Sequence, residues 1–93
     1  MIYIATGLRN GIREFRAAFR TRQEADTFVH EKAVGGPMII PEEITVGAEK
    51  KKVFVAQRYF QREDLHGYHS VYEDSDAAHQ AAGQDGSVLS CDV

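Results

Sequence analysis

The chain has 93 residues, of which 43% are hydrophobic and 27% charged, and its formal net charge is -3. This composition excludes a disordered tail and a fibre, and no apolar run approaches the length of about 20 residues that spans a membrane. The only cysteine, Cys91, excludes an intrachain disulfide framework, and no signal-peptide core is found, so we expect one soluble, cytoplasmic domain over residues 1–93.

The charge is distributed unevenly along the chain. Residues 1–62 hold all 11 Lys and Arg against seven acids, whereas residues 63–93 hold seven acids and no Lys or Arg. Such asymmetry indicates either a surface for a basic partner or two ends that fold together with interleaved charges. The sequence leaves both interpretations open.

The first elements in the chain are a hairpin and a helix. Asn10-Gly11 is the pair preferred in a type I′ turn, and it predicts a register with Arg9 opposite Ile12. Continued without interruption, that register places Thr6 opposite Phe15, Ile4 opposite Ala17 and Ile2 opposite Phe19. Thr21 and Glu24 then form a capping box for a helix with Ala25, Phe28, Val29 and Ala33 on its apolar face, ending before Gly35 and Pro37.

A short strand follows this helix, and the pattern then starts again. Met38–Ile40 predicts a buried strand, interrupted at Pro41 and continued over Ile44–Val46. After a polar connection at 47–52, the run Ile2–Ala5 matches Val53–Ala56 at a shift of 51, and the return strand matches at a shift of 53. The second hairpin loop is therefore two residues longer than the first.

The second half closes with an alanine-rich helix and a last strand. Asp74 or Ser75 caps the helix, Gly83 ends it, and Leu89, Cys91 and Val93 alternate in the strand, which predicts a core position for Cys91. The sequence thus predicts an α+β fold with an internal repeat, 1–46 and 52–93. Each half reads strand-strand-helix-strand, and together they form a mostly antiparallel sheet with two helices.

The hairpin over Val53–Tyr72 is apolar on both faces. Tyr68, Ser70 and Tyr72 alternate with His69 and Val71, so we expect His69 opposite Ala56 on the second face. One face must be core. The other needs a cover, from the chain's own helices, from a second copy in a homodimer, or from a partner.

No catalytic, cofactor or metal motif is found in the sequence. His66 and His69 are predicted to point to opposite faces, which argues against a metal site, and no glycine-rich phosphate loop is present. We therefore predict a protein without enzymatic activity and without a cofactor. The alternative is a small homodimeric enzyme whose site, at the subunit junction, uses His69 or His79.

Two surfaces remain as binding candidates. The first would dock on a larger protein or complex with a basic surface, through carboxylates around an apolar centre. The second would stack single-stranded nucleic acid on sheet aromatics beside arginines, although the overall acidity argues against it. The partner-binding residues are Phe60, Glu63, Asp64, Leu65, Tyr68, Tyr72, Glu73, Asp74 and Asp76; the nucleic-acid-binding residues are Tyr3, Arg16, Arg20, Phe54 and Arg58.

In size, acidity and style the chain resembles the small phage-encoded inhibitors of bacterial defence, including anti-CRISPR proteins. The features that carry the resemblance are hairpins followed by short Ala-rich helices such as SDAAHQAAG. The resemblance implies stoichiometric binding that occupies a nucleic-acid-binding or recruitment surface of a larger complex in a bacterial host. It implies no catalytic residues.

Overall fold

The computed structural model of the chain describes residues 1–32, 38–42 and 50–93. These residues form two β-β-α-β halves, which confirms the predicted α+β fold and its repeated arrangement. The elements of the first half are β1 (Ile2–Arg9), β2 (Ile12–Phe19), α1 (Arg22–Lys32) and β3 (Met38–Glu42). Those of the second are β4 (Lys52–Phe60), β5 (Leu65–Tyr72), α2 (Ser75–Ala82) and β6 (Ser87–Asp92).

The strands divide between two three-stranded antiparallel sheets, one for each half. Their orders are β2-β1-β3 and β5-β4-β6, so the first strand of each half lies at the centre of its sheet. Pro41 lies within β3, which is an edge strand, where the missing backbone N–H of proline costs no central ladder bond. The described residues thus form two separate sheets that share one core.

The main core lies between the inner faces of the two sheets. Ile2, Ile4, Val53 and Val55 are each at most 1% exposed there, and Val71 joins them at 2%. The side chains packed around this cluster are Phe15, Tyr68, Cys91 and Val93. Burial of these aliphatic side chains from both halves is the main force that holds the sheets together.

Each helix covers the outer face of its own sheet. Ala78 and Ala82 of α2 pack on Ala56, with Phe54 and Tyr72 beside them. On the other sheet, the Phe28 ring of α1 lies 5.4 Å from the Phe19 ring. The second face of the 53–72 hairpin is therefore covered by the chain's own helix, the first of the three covers that the sequence left open. Phe60 remains 41% exposed.

The predicted register of the first hairpin is correct near the turn and wrong beyond it. Asn10 and Gly11 have the positive φ angles, 50° and 81°, that a type I′ turn requires, and Thr6 faces Phe15. A β-bulge then leaves Arg16 without an opposite residue, so Ile4 faces Ala18 and not Ala17. Successive side chains of a strand point to opposite faces, so the extra residue places each side chain after Arg16 on the face opposite to the predicted one. Phe19 accordingly faces Tyr3 on the α1 side and not Ile2.

The second hairpin has the same irregularity. Ala56 faces Ser70 and Gln57 faces Tyr68, so the predicted placement of His69 opposite Ala56 is wrong. As a result Tyr68 lies in the core between the sheets while Tyr72 lies under α2, and the two rings do not share a face.

The helix ends follow the predicted local chemistry. The Thr21 hydroxyl accepts a hydrogen bond from the Glu24 backbone N–H at 3.2 Å, as the predicted capping box requires, and it donates one to the Glu24 carboxylate at 2.9 Å. Asp74, not Ser75, caps α2 by accepting from the Asp76 backbone N–H. Gly83 ends α2, and its N–H donates to the carbonyl of His79.

Predictions for β3 and Cys91 need correction. Met38 is 46% exposed, because it begins an edge strand, so the predicted buried strand is wrong at that residue. Cys91 is half-buried at the margin of the core and is not fully enclosed. The predictions for Ala33, Gly35, Pro37 and Ile44–Val46 fall outside the described residues. Within the described part of the chain, no helix is long and apolar enough to cross a membrane.

Candidate functional site

Three of the predicted partner-binding carboxylates lie together at the start of α2. Glu73, Asp74 and Asp76 are exposed, and none of them forms an ion pair with another described residue. The positive end of the α2 dipole stabilises the negative charges of Asp74 and Asp76, so these carboxylates do not destabilise the helix. We call Glu73, Asp74 and Asp76 the α2 acidic patch.

The remaining partner-binding residues are not part of this patch. Glu63 and Asp64 lie in the turn before β5, whereas the patch follows the end of that strand. Eight residues of extended strand separate the two sites by about 25 Å. Phe60 and Leu65 pair with each other at the turn end, and Tyr68 and Tyr72 are turned into different layers. The structure therefore leaves Tyr72 next to the α2 acidic patch but does not bring Phe60, Leu65 and Tyr68 to it.

The residues of the nucleic-acid alternative do not form an open stacking surface. Phe54 packs beneath α2, and Tyr3 lies opposite Phe19 on the face that α1 covers. The arginines make contacts within the chain: Arg16 pairs with Glu14 at 3.2 Å, Arg20 donates to the carbonyl of Lys50, and Arg58 donates to that of Ala81 at 3.2 Å. Sheet-surface binders of single strands need uncovered rings, and here helices occupy both outer faces.

A polar cavity that the sequence analysis missed lies at the turn end of the second sheet. It has a volume of about 480 Å³ and is lined by Tyr59, Gln61, His66 and Asp85. Tyr59 and His66 face each other across the β4–β5 ladder with ring centroids 5.1 Å apart. We call this cavity the Tyr59 pocket.

One carboxylate bonds the Tyr59 phenol, and a second lines the same pocket. Its hydroxyl donates a hydrogen bond of 2.6 Å to Oδ1 of Asp64. This hydrogen bond, with desolvation and the negative charges of Asp64 and Asp85, raises the pKa of the Tyr59 phenol above its ordinary value of 10.0.

The buried side chain of Gln57 is connected to the pocket through Ser87. Gln57 is only 8% exposed, and the Ser87 hydroxyl donates to its Oε1 at 3.4 Å. The same hydroxyl lies 3.4 Å from Nδ1 of His66, so Ser87 joins the buried amide to the pocket wall. Both are long hydrogen bonds that leave the Ser87 hydroxyl shared between two partners.

The turn after α2 carries Asp85 to the pocket. A Cβ on Gly86 would collide with the backbone carbonyl oxygens of Ala82 and Gln57, so this turn lies directly against β4. Only glycine permits so close an approach. The pocket therefore depends on a contact between the backbones of Gly86 and Gln57, and no local sequence motif predicts that contact.

Other reactive side chains show no catalytic arrangement in the described residues. Burial raises the pKa of the Cys91 thiol, opposed by a hydrogen bond with the Ala18 backbone, and this disfavours the thiolate that a nucleophile needs. His69 and His79, the histidines of the enzyme alternative, are exposed on β5 and α2. Residues 1–32, 38–42 and 50–93 contain no group of three His, Cys, Asp or Glu side chains that could hold a metal ion.

Comparison with protein-family models, with curated proteins and with solved structures finds no match to this chain. The geometry and charge of the α2 acidic patch and the Tyr59 pocket are therefore the features that bear on function.

Proposed function

We propose that this chain is a non-enzymatic binding module that inhibits or regulates a larger protein complex by occupying a basic surface. The observation that carries the proposal is the α2 acidic patch, three exposed carboxylates without an ion-pair partner among the described residues. Unpaired surface charge of one sign favours association with the opposite sign and speeds the encounter.

The alternative explanation of the charge asymmetry, that the two ends neutralise each other, accounts for little of it. Of the ion pairs among described residues, one joins the acidic last third to a basic residue, Lys52 with Asp92 at 4.0 Å. Both side chains are largely exposed, and such pairs contribute roughly 0–1 kcal/mol. The α2 acidic patch therefore remains available to a partner.

The class of target that we propose is a nucleic-acid-handling complex in the cytoplasm of a bacterial cell. Such a complex carries a groove of Lys and Arg that neutralises phosphates, and clustered carboxylates can occupy the same positive field. The resemblance to phage-encoded anti-CRISPR inhibitors supports this choice, because those inhibitors act by stoichiometric binding.

The test is affinity capture on the purified chain from cells of the organism that encodes it, with mass spectrometry of the bound proteins. The informative variant is Glu73→Lys with Asp76→Lys, which reverses two charges and keeps the Asp74 cap intact. The matched control is Asp26→Lys with Glu31→Lys, which makes the same change of net charge on exposed positions of α1. The proposal predicts loss of the captured protein with the first variant and retention with the control.

Equal capture by both variants would overturn the role of the α2 acidic patch. Circular dichroism of each variant checks that loss of capture does not reflect unfolding. The mass of the purified chain in solution, measured alongside, decides whether it binds as a monomer or as the homodimer considered from the sequence.

A further inference from the structure

We propose that the Tyr59 pocket binds an organic cation, specifically a primary ammonium group on an aliphatic chain. The proposal is independent of the α2 acidic patch, because the pocket lies at the opposite end of β5 from that patch. It starts from the cavity lined by Tyr59, Gln61, His66 and Asp85.

The chemistry of the lining favours a cation that donates hydrogen bonds. An ammonium group seated there would meet the Asp85 carboxylate, the amide oxygen of Gln61 and the electron-rich ring of Tyr59. The phenol oxygen is already held by Asp64 at 2.6 Å, which fixes the ring and adds a second negative charge. None of the four lining residues is a Lys or Arg that would oppose a cation.

The internal repeat carries different side chains at the two ladder positions that Tyr59 and His66 occupy. At the shifts of 51 and 53 that relate the two hairpins, Tyr59 corresponds to Leu8 and His66 to Arg13. Both pairs serve the same ladder positions, since Leu8 faces Arg13 and Tyr59 faces His66. The first half thus forms its hairpin with neither a phenol nor an imidazole at these positions, so hairpin formation alone does not account for Tyr59 and His66 in the second half.

The interior of the second half adds a further polar element. Gln57, 8% exposed, and Ser87 connect to His66 behind the Tyr59 ring. Burying the Gln57 amide costs free energy unless the amide forms hydrogen bonds. The contacts from Gln57 through Ser87 to His66 satisfy part of this need and hold the His66 ring in one orientation. A rigid, partly enclosed wall lowers the entropy cost of binding a small ligand.

The same ammonium chemistry could come from a free amine or from a lysine side chain of another protein. The experiment therefore uses two probes, 1,5-diaminopentane and N-acetyl-lysine methylamide, with 1-pentanol as the neutral match. Each is titrated into ¹⁵N-labelled protein at 150 mM NaCl, and backbone amide shifts are followed. The proposal predicts saturable shifts centred on Tyr59, His66 and Asp85, with affinity on the order of millimolar for so small a ligand.

Saturation by the diamine alone identifies a free amine as the ligand, and saturation by both probes admits a lysine side chain. Absence of saturable shifts with either amine, or equal shifts with 1-pentanol, overturns the proposal. Shifts centred on α2 in place of the pocket would overturn it as well, because they would report attraction to exposed carboxylates in general.

Removal of the two carboxylates gives the sharper test. Asp64→Asn with Asp85→Asn keeps the shape of both side chains, and asparagine tolerates the positive φ of 54° at residue 64. The double variant should bind the diamine about tenfold more weakly, since a hydrogen bond to a charged group contributes more than one to a neutral group. The variant Glu73→Lys with Asp76→Lys should bind it as the wild type does. Unchanged affinity in the Asp64 and Asp85 double variant would overturn the proposal without bearing on the α2 acidic patch.

Discussion

Arg16 and His69 occupy the same place in the two hairpins, since each is the extra residue of a β-bulge. The bulge falls between the partners Ala5 and Thr6 in the first half and between Ala56 and Gln57 in the second. These positions are related by the same shifts of 51 and 53 that relate the sequences. The two halves thus share the position of the β-bulge as well as the order of their elements. The bulges determine which side chains of β2 and β5 enter the core.

Because His69 has no opposite residue, its deletion should leave a regular ladder with every other side chain on its present face. Tyr68 would still face Gln57, and Ser70 would still face Ala56. We predict that the deletion variant unfolds cooperatively in a thermal melt followed by circular dichroism. The comparison is deletion of Val71, which would bring Ser70 opposite Val55 into the core and should abolish the transition. Equal damage from the two deletions would contradict the bulge.

Two residues of β1 should differ sharply in their effect on stability. Ile4 is 0% exposed between the sheets, whereas Leu8 is 36% exposed near the end of the same strand. Ile4→Ala should lower the free energy of unfolding by about 2–5 kcal/mol, and Leu8→Ala should change it by about 0.5 kcal/mol or less. Urea denaturation measures both values. Similar values for the two variants would place Ile4 outside the core.

The titration of Tyr59 should depend on Asp64. The hydrogen bond and negative charge of Asp64 favour the protonated phenol in the folded state, so the folded pKa lies above the ordinary 10.0. The resulting stabilisation is complete below that ordinary value and is lost as pH rises through the folded pKa. ¹³C NMR of the tyrosine ring, assigned with Tyr59→Phe, should show a lower pKa in Asp64→Asn and no change in Asp76→Asn. A Tyr59 pKa of the ordinary value in the wild type would contradict the hydrogen bond between Asp64 and the phenol.

The Cys91 thiol should be unreactive for a cysteine. Burial beside the core raises its pKa and lowers the fraction of thiolate, which is the reactive form. Its reaction with a disulfide reagent at pH 8 should be slower in the native protein than in 6 M guanidinium chloride. Faster reaction in the native state would indicate an activated thiol and revive a nucleophilic role.

The nucleic-acid alternative makes a separate prediction. With Tyr3 and Phe54 on faces covered by helices, the chain should not retard single-stranded DNA or RNA in a gel at low salt. Retardation that is lost in Arg58→Ala would restore the alternative.

Local chemistry made the helices and turns predictable from sequence. The Thr21 to Glu24 capping box, the Asn10-Gly11 turn and the Asp74 cap each depend on residues a few positions apart. The bulges were not predictable, because Phe15, Ala17 and Phe19, like Tyr68, Ser70 and Tyr72, alternate without a visible break. Small or amphipathic residues there suit either face, so the pattern does not reveal an extra residue.

The division into two sheets and the Tyr59 pocket were missed for a different reason. Both depend on contacts between distant segments, such as the turn at Gly86 against the backbone of Gln57. The signal that could have revealed the pocket was the mismatch between the repeats, where Leu8 and Arg13 correspond to Tyr59 and His66. A repeat reveals a specific site where one copy departs from the other in chemistry while keeping the same strand pairing.

The central claim, that the exposed carboxylates of α2 dock on a basic partner, is tested most directly by titration calorimetry with the captured partner. The wild type is compared with Glu73→Lys and Asp76→Lys combined, and with the matched pair Asp26→Lys and Glu31→Lys. We predict that the α2 variant binds at least about tenfold more weakly, with a stronger effect at low salt, while the α1 variant binds as the wild type does. Equal affinities for all three proteins at low salt would contradict the claim.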